Sequence, residues 1–199
     1  LLQAGMVPLG KLHMTEFAFG GWGTNPLMGT PRNPWDLKTH RVPGGSSSGP
    51  GVAIAAGYAP IGIGSDTGGS VRIPSAFNGI TGLKVTFGRI SLHATGLLSW
   101  SLDTIGPMAR NVHDCALMLD ALAGPDARDA ATWAQPLEVF TSEPRAVKGL
   151  RLAMPDANQF PDFMQPAVIQ SWRDAAQVLA GLGAVVIPVR LPDGFFDLA

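Results

Sequence analysis

The sequence has one cysteine and few charged residues. Cys115 alone cannot form an internal disulfide, and it excludes metal sites of the four-cysteine kind. Only 15% of the residues are charged, and the 14 basic and 15 acidic side chains nearly balance. Nucleic-acid-binding proteins usually carry a basic excess, so no nucleic-acid partner is expected. Because 46% of the residues are hydrophobic, a sizeable core can form, and we expect a single domain over residues 1–199.

Long apolar runs are also missing. A membrane-spanning helix needs about 18 apolar residues, whereas glycine and proline interrupt the nearest candidate, residues 52–64. No membrane partner is therefore expected. Residues 1–5 are typical of the end of a helix closed by a glycine. We therefore expect this chain to be a fragment of a longer protein. Separately, its single cysteine favours a cytoplasmic location.

Residues 44–82 are rich in Gly, Ala and Ser and contain only two charged residues, Asp66 and Arg72. Such a stretch has too few charges to form a solvated face, so we expect it to be buried almost throughout. Its pattern predicts three short elements, which are a helix over 51–56 with Pro50 as its first-turn proline, a strand over 61–64 and a helix from Ser70 to residue 76.

The second half of the chain alternates between strands and helices. Asn111 is typical of a helix N-cap and predicts a helix through Leu122. Farther on, the pattern predicts a strand over 150–154, a helix over 167–182 and a strand over 184–189. A strand, a helix and a second strand in this order imply a parallel pair. The chain is therefore expected to be an α/β protein.

Residues 44–49 read Gly-Gly-Ser-Ser-Ser-Gly and lead into the first predicted helix. Three hydroxyls and free amides at a helix start can bind an anion or hold a reacting group, although a plain N-cap explains any one of these serines. The stretch also matches the nucleophile elbow G-x-S-x-G, centred on Ser47. That motif must follow a buried strand, whereas residues 38–43 are charged and end in a proline, so this match is rejected.

Residues 64–70 read Gly-Ser-Asp-Thr-Gly-Gly-Ser and form the second candidate motif. Successive glycines let backbone N–H groups point into one concave site, which suits a phosphate or a developing oxyanion. The Gly-Lys-Ser/Thr ending of a phosphate-binding loop is missing. An oxyanion site with Ser70 at its end and a purely structural turn both remain open.

Other nucleophiles and bases give weaker signals. No Asp–His pairing is visible for any of the four histidines, so a Ser-His-Asp triad is open but unsupported. Cys115 lies on the expected inner face of a helix and is interpreted as a small core residue. No metal site or cofactor is indicated. The histidines are His13, His40, His93 and His113.

Together, the two motifs resemble the amidase signature family, and matching runs cover residues 1–125 densely. The resemblance implies an α/β/α sandwich around a mixed β-sheet, incomplete in this chain. It also implies hydrolysis of a small-molecule amide through a Ser–cis-Ser–Lys triad, without a cofactor. The flanking runs that agree are residues 14–18, 33–36, 79–84 and 102–110.

The resemblance also implies a role for particular residues. The nucleophile falls on Ser70, and the bridging serine, whose peptide bond is cis in the family, falls on Ser46. The oxyanion hole falls on the backbone amides of Thr67, Gly68 and Gly69, together with that of Ser70. The acyl side of the substrate cleft falls on Ala18, Phe19 and Gly20.

The chain departs from the family pattern at the catalytic lysine. In the family this lysine precedes the matching segment, and Lys11 is not its equivalent, so the base is expected outside these residues. The favoured interpretation is an amidase that is active only with the lysine segment. The alternatives are a non-catalytic amidase-fold binding protein or subunit, and an A-type subunit of a glutamine-dependent tRNA amidotransferase. The resemblance is compatible with a homodimer, and the sequence does not determine the amide substrate.

Overall fold

The computed structural model describes residues 1–134, 136, 139–141 and 146–195. The chain forms two compact units, Leu1–Ser142 and Glu143–Ala199. Both contain helices and strands, which confirms the α/β expectation. None of the helices in the described part of the chain is long and apolar enough to cross a membrane.

The first unit contains a three-stranded antiparallel sheet, in which Thr104–Ala109 is the central strand between Ile61–Asp66 and Thr81–Gly82. The central strand pairs with both neighbours, since Ala109 lies opposite Ile61 on one side and Thr81 on the other. Three short 3-10 turns, Leu2–Ala4, Glu16–Ala18 and Ala130–Thr132, lie outside the sheet. The elements are α1 (Ser48–Ala55), β1 (Ile61–Asp66), α2 (Arg72–Asn78), β2 (Thr81–Gly82), β3 (Thr104–Ala109) and α3 (Val112–Leu122).

The core of this unit fixes α1 and the start of α2 against the sheet. Ile54 from α1, Val71 from the turn before α2 and Met108 from β3 are fully buried in one cluster. Each such side chain contributes roughly 1.5–3 kcal/mol when it leaves water. Val85, Ile90 and Leu119 form a second buried cluster. The buried serine loop and the turn at Ser70 thus rest on packed elements.

The second unit contains β4 (Arg151–Pro155), α4 (Pro166–Gly181) and β5 (Val185–Val189). The two strands are parallel, with Arg151 opposite Val185 and Pro155 opposite Val189. The predicted strand–helix–strand order and parallel pairing are confirmed. In the first unit, Asn111 caps α3 as predicted, because its side chain accepts the Asp114 N–H at 2.9 Å.

Two predicted helix starts are wrong. α1 begins at Ser48, three residues before the predicted start at Gly51. A proline is tolerated throughout the first turn, whose N–H groups have no intrahelical acceptor, so it does not mark the first residue. α2 begins at Arg72, two residues after Ser70. The amides of Gly69 and Val71 bond to a side chain, so residues 69–71 form a turn and not a helical start.

Candidate active site

The serine loop, residues 44–49, is buried along its whole length, as the low charge predicts. The prediction that residues 44–82 are buried almost throughout is wrong, because the stretch also contains exposed residues such as Tyr58 and Phe77, which lie outside the packed loop. The peptide bond between Gly45 and Ser46 is cis, as the family resemblance implies. The Ser46 carbonyl accepts the backbone N–H of Thr15 at 3.0 Å and that of Ser48 at 2.9 Å. The loop is therefore held from the N-terminal segment and from the start of α1.

Glycine is required in this loop because other backbone atoms approach it closely. A Cβ on Gly45 would lie 2.6 Å from the Gly20 carbonyl oxygen and 2.7 Å from the Gly23 nitrogen. Gly44 has a φ of 76°, and a Cβ there would lie 2.9 Å from the Pro74 Cα. Side chains at either position would push the serines away from the N-terminal segment or from α2.

The hydroxyls of the three serines have different surroundings. Ser47 Oγ accepts the Ser65 N–H and donates to the Ser65 carbonyl. Ser48 Oγ lies 2.7 Å from His13 Nδ1. Ser46 is fully buried, and its Oγ has no hydrogen-bond partner among the described residues. Ser46 is thus the one serine of the three whose hydroxyl is not used to hold the loop.

The turn that carries Ser70 is built around the buried carboxylate of Asp66. The amides of Gly69 and Val71 donate to this carboxylate at 2.8 and 3.1 Å. The Arg72 guanidinium binds both of its oxygens, at 2.9 and 3.0 Å. Burial by itself raises the pKa of Asp66, but the hydrogen bonds from Arg72 and the turn amides outweigh it and hold the pKa below its ordinary value of 3.8.

A second carboxylate holds the other end of the turn. The Thr67 hydroxyl donates to the side chain of Asp103. The second oxygen of Asp103 accepts the amides of Leu98 and Ser99 at 2.7 and 3.0 Å. The turn is therefore anchored at Asp66 and at Thr67, and residues 68–70 lie beyond these anchors.

The serine loop and the Ser70 turn meet through one backbone hydrogen bond. Ser47, the residue after Ser46, donates its N–H to the Ser70 carbonyl at 3.2 Å. Ser70 is partly exposed, and its hydroxyl has no hydrogen-bond partner among the described residues. No hydrogen bond joins the hydroxyls of Ser46 and Ser70. The two predicted catalytic serines thus lie on adjacent loops without a hydrogen bond between their hydroxyls.

The predicted oxyanion amides are not equivalent. The Gly69 N–H is already bonded to Asp66, whereas the amides of Thr67, Gly68 and Ser70 donate to no acceptor among the described residues. A Cβ on Gly68 would meet nothing within 4 Å. Free amides beside an open hydroxyl can stabilise negative charge that develops on a bound carbonyl oxygen.

The predicted acyl-side segment lies against the serine loop. Gly20 faces Gly45 through its carbonyl oxygen, and Ala18 donates its N–H to the Thr15 carbonyl at 3.0 Å. Ala18 has a left-handed φ of 56°, which is uncommon for a residue other than glycine. Phe19 is 78% exposed. The structure thus places Gly20 beside Gly45, the residue before Ser46, and leaves an aromatic side chain at the surface.

None of the lysines in the chain bonds to the Ser46 hydroxyl of the serine loop. Because Ser46 Oγ has no partner in the described part of the chain, none of the four lysines, all of which are described, contacts it. Lys11 and Lys38 are exposed, and Lys84 donates to the neighbouring Val85 carbonyl. His13 binds Ser48 and Gly29, and no histidine bonds to the Ser70 hydroxyl. Ser70 therefore has neither a lysine nor a histidine base within the described residues.

Sequence reasoning missed Asp66, Thr15 and Asp103 as residues that shape the site. One signal could have identified Asp66. It and Arg72 are the only charges in an apolar stretch, and buried charges are usually paired. Nothing local to Thr15 or Asp103 indicates a role, since Thr15 bonds to Ser46 and Asp103 to Thr67 across long sequence separations.

Other groups offer no metal or nucleophile site in the described residues. No three His, Cys, Asp or Glu side chains come together as a metal site in that part of the chain. Cys115 is buried, and its burial raises the pKa of its thiol. A thiol that resists ionisation is a poor nucleophile, in agreement with the core role predicted for it.

Comparisons with known proteins agree on one family. A family model described as Amidase matches residues 1–194. The chain is 46% identical over 191 residues to the A-type subunit of the glutamyl-tRNA(Gln) amidotransferase of Chromohalobacter salexigens, covering 96% of this chain and 39% of that protein. The chain therefore spans about two fifths of the length of that relative.

Solved structures give the same result for the fold. The crystal structure of the A-type subunit of the glutamyl-tRNA(Gln) amidotransferase from Thermotoga maritima matches with a TM-score of 0.88 and 37% identity, over 96% of this chain and 42% of that chain. The peptide amidase of Stenotrophomonas maltophilia matches with a TM-score of 0.82 and 39% identity, over 97% and 41%. The expected fold, incomplete in this chain, is confirmed.

Proposed function

Because this chain belongs to the amidase signature family, we propose that it carries the nucleophile and the bridging serine of an amidase. Ser70 is the proposed nucleophile. The observation that supports this most is the hydrogen bond from Ser47 to the Ser70 carbonyl. It brings the fully buried, unpartnered Ser46 hydroxyl beside a turn whose serine is open to a substrate.

In the proposed reaction, Ser70 Oγ attacks the carbonyl carbon of a small-molecule amide. The amides of Thr67, Gly68 and Ser70 donate to the oxygen that becomes negative, and the Gly69 amide, bonded to Asp66, holds the turn in place. The C–N bond then breaks, the nitrogen leaves with a proton, and the acyl group stays on Ser70 as an ester. Water hydrolyses this ester and releases the carboxylic acid.

A base must remove the Ser70 proton, because a neutral serine hydroxyl is a weak nucleophile. We propose that the proton passes to Ser46 Oγ while Ser46 passes its own proton to a neutral lysine amine. The same groups return a proton to the leaving nitrogen. None of the four lysines in the chain bonds to Ser46, so we propose that this lysine lies outside the 199 residues.

Labelling with a fluorophosphonate tests the nucleophile. The chain is supplied with a lysine segment, either as preceding residues of its gene or as the matching segment of the Stenotrophomonas maltophilia peptide amidase. We expect labelling on Ser70 and loss of both labelling and amide turnover in Ser70→Ala. Labelling that persists in Ser70→Ala would reject the proposal, and ligand binding without any labelling would favour a non-catalytic binding protein.

A second candidate is an A-type subunit of a tRNA amidotransferase. It is favoured by the 46% identity to a protein of that name. The same serines would then form the acyl-enzyme with glutamine. Turnover of L-glutamine that depends on a partner subunit would support this candidate, whereas turnover of simple aryl or primary amides by the protein alone would support the first. Both proposals include a cytoplasmic location for the protein.

A further inference from the structure

Two buried hydroxyls at the serine loop, one within it and one on a residue that bonds to it, have no hydrogen-bond partner in the described part of the chain. Among the described residues, Thr15 Oγ1 and Ser46 Oγ are both inaccessible to solvent and make no hydrogen bond. A buried hydroxyl that makes no hydrogen bond costs free energy relative to an apolar side chain of the same shape. The fold therefore carries two unfavourable polar groups in one place, and only one of them, Ser46, has a role in the proposed reaction.

Thr15 connects the parts of the site. Its backbone N–H donates to the Ser46 carbonyl at 3.0 Å, and its carbonyl accepts the Ala18 N–H at 3.0 Å. Its side chain lies between two glycines. Thr15 Oγ1 is 2.9 Å from the position of a Cβ on Gly45, and Thr15 Cγ2 is 3.2 Å from that of a Cβ on Gly20. The unpartnered Oγ1 thus faces the serine loop, and the methyl group faces the acyl-side segment.

We propose that Thr15 is a positioning residue whose hydroxyl holds the amino group of the lysine base. This inference rests on the proposed function. A neutral amine has one lone pair and two N–H groups. When the lone pair accepts the proton of Ser46 Oγ, one N–H can donate to Thr15 Oγ1. The second hydrogen bond fixes the direction of the lone pair and satisfies the otherwise unpartnered Thr15 hydroxyl.

The same contact affects the ionisation of the base. Thr15 Oγ1 accepts a hydrogen bond from the amine in either state, and the bond to the charged ammonium is the stronger one. The hydroxyl therefore favours the charged form and raises the pKa of the lysine. Acylation needs the neutral amine, so its rate rises with pH through that pKa. Removing the hydroxyl should lower the pKa and move this limb of the pH–rate profile to lower pH.

Thr15→Val removes the hydroxyl and keeps the shape, and Thr15→Ser restores it. In the protein supplied with its lysine segment, we expect Thr15→Val to reduce the fluorophosphonate labelling rate at least tenfold and to shift the limb downward by about half a pH unit or more. Thr15→Ser should recover the wild-type limb. A substitution that only disturbs packing lowers the labelling rate at every pH and does not shift the rising limb of the pH–rate profile.

Thermal unfolding of the 199-residue chain provides an independent measurement. Thr15→Val should leave Tm unchanged or raise it, because the lost hydroxyl makes no hydrogen bond there. The matched control is Ser75→Ala, whose buried hydroxyl donates to the Val71 carbonyl at 2.8 Å and whose loss should lower Tm. The inference would be overturned by a Tm loss in Thr15→Val as large as that in Ser75→Ala. It would also be overturned if the rising limb of the pH–rate profile did not shift in Thr15→Val.

The two proposals fail in different ways. If Ser70→Ala and Ser46→Ala still label like the wild type, the proposed function is wrong whatever Thr15 does. If both lose labelling while Thr15→Val labels at the wild-type rate with the wild-type limb, the proposed function stands and only the role of Thr15 is rejected.

Discussion

The hydroxyl of Ser47 makes two hydrogen bonds to a single residue, Ser65. It accepts the Ser65 N–H at 3.1 Å and donates to the Ser65 carbonyl at 3.2 Å. Close packing supports this contact, since a Cβ on Gly64 would lie 2.6 Å from Ser47 Oγ. Ser47 therefore fastens the serine loop to β1, and its hydroxyl has no proton to spare for attack on a substrate.

Ser47→Ala should separate anchoring from catalysis. The substitution leaves the buried Ser65 groups without their side-chain partner, so the free energy of unfolding should fall by about 1–3 kcal/mol. Urea unfolding of the 199-residue chain measures this change. Fluorophosphonate labelling of Ser70 should persist in the folded variant. Transfer of the label to another serine, or its loss in a variant of wild-type stability, would contradict the assignment.

Ser46→Ala should remove the proton relay and leave the fold intact. Its hydroxyl makes no hydrogen bond in the described part of the chain, so the unfolding free energy should stay within about 0.5 kcal/mol of wild type or rise. Loss of a positioned proton-transfer group should lower kcat for amide turnover by about 10²–10⁴-fold. A decrease of less than tenfold would show that the base reaches Ser70 directly.

Asp66→Asn should weaken the Ser70 turn and change the acid stability. Because the folded-state pKa of Asp66 lies below its ordinary value of 3.8, the unfolded chain binds the proton more readily. The stabilisation is present above pH 3.8 and is lost as pH falls through the lower folded pKa. Thermal unfolding from neutral pH down to about 3 should show this loss in the wild type and less of it in Asp66→Asn.

A matched control for Asp66 is the exposed ion pair between Asp36 and Arg41. Both pairs have short N–O distances, 2.9 Å for Arg72–Asp66 and 2.8 Å for Arg41–Asp36. Both carboxylates also accept backbone amides, but the side chain of Asp66 is fully buried, whereas that of Asp36 is 29% exposed. Asp36→Asn should therefore change Tm much less at neutral pH. Equal losses in both variants would argue against a structural role for the Asp66 turn.

Gly45→Ala should disrupt the site by crowding. The added Cβ would meet the Gly20 carbonyl oxygen at 2.6 Å and the Gly23 nitrogen at 2.7 Å, and backbone atoms cannot move aside cheaply. Unfolding free energy should fall by about 1–3 kcal/mol or more, and labelling of Ser70 should be lost. Gly96→Ala is the control, because a Cβ there meets nothing within 4 Å. Wild-type labelling in Gly45→Ala would show that the close approach is unimportant.

Lys11→Ala should leave acylation within about twofold of wild type. Lys11 is exposed and makes no contact with the Ser46 hydroxyl, so its charge stays solvated. The measurement is the labelling rate of the protein supplied with its lysine segment. Substitution of the lysine in that segment should abolish labelling. Loss of labelling in Lys11→Ala, together with unchanged labelling when the lysine of the segment is substituted, would identify Lys11 as the base.

The α/β class and the parallel β4–β5 pair could be predicted from the sequence, because the periodic elements and their order are local properties. The boundaries of α1 and α2 could not. Pro50 fits several places in a first turn, and α2 starts only at Arg72 because the Asp66 carboxylate accepts the amides of Gly69, Val71 and Arg72. The local sequence pattern around a residue does not show which side chain elsewhere accepts a hydrogen bond from its backbone N–H.

The sequence by itself determined that the serine loop, residues 44–49, is buried, since a run without charges cannot form a solvated face. It also determined that Ser46 and Ser70 lie in two glycine-rich loops. Only the tertiary structure decided which hydroxyls are occupied. Ser47 binds Ser65, 18 residues away, and Ser48 binds His13, 35 residues away. Hydrogen-bond partners so distant in sequence are chosen by packing, and this packing leaves the Ser46 hydroxyl unpaired.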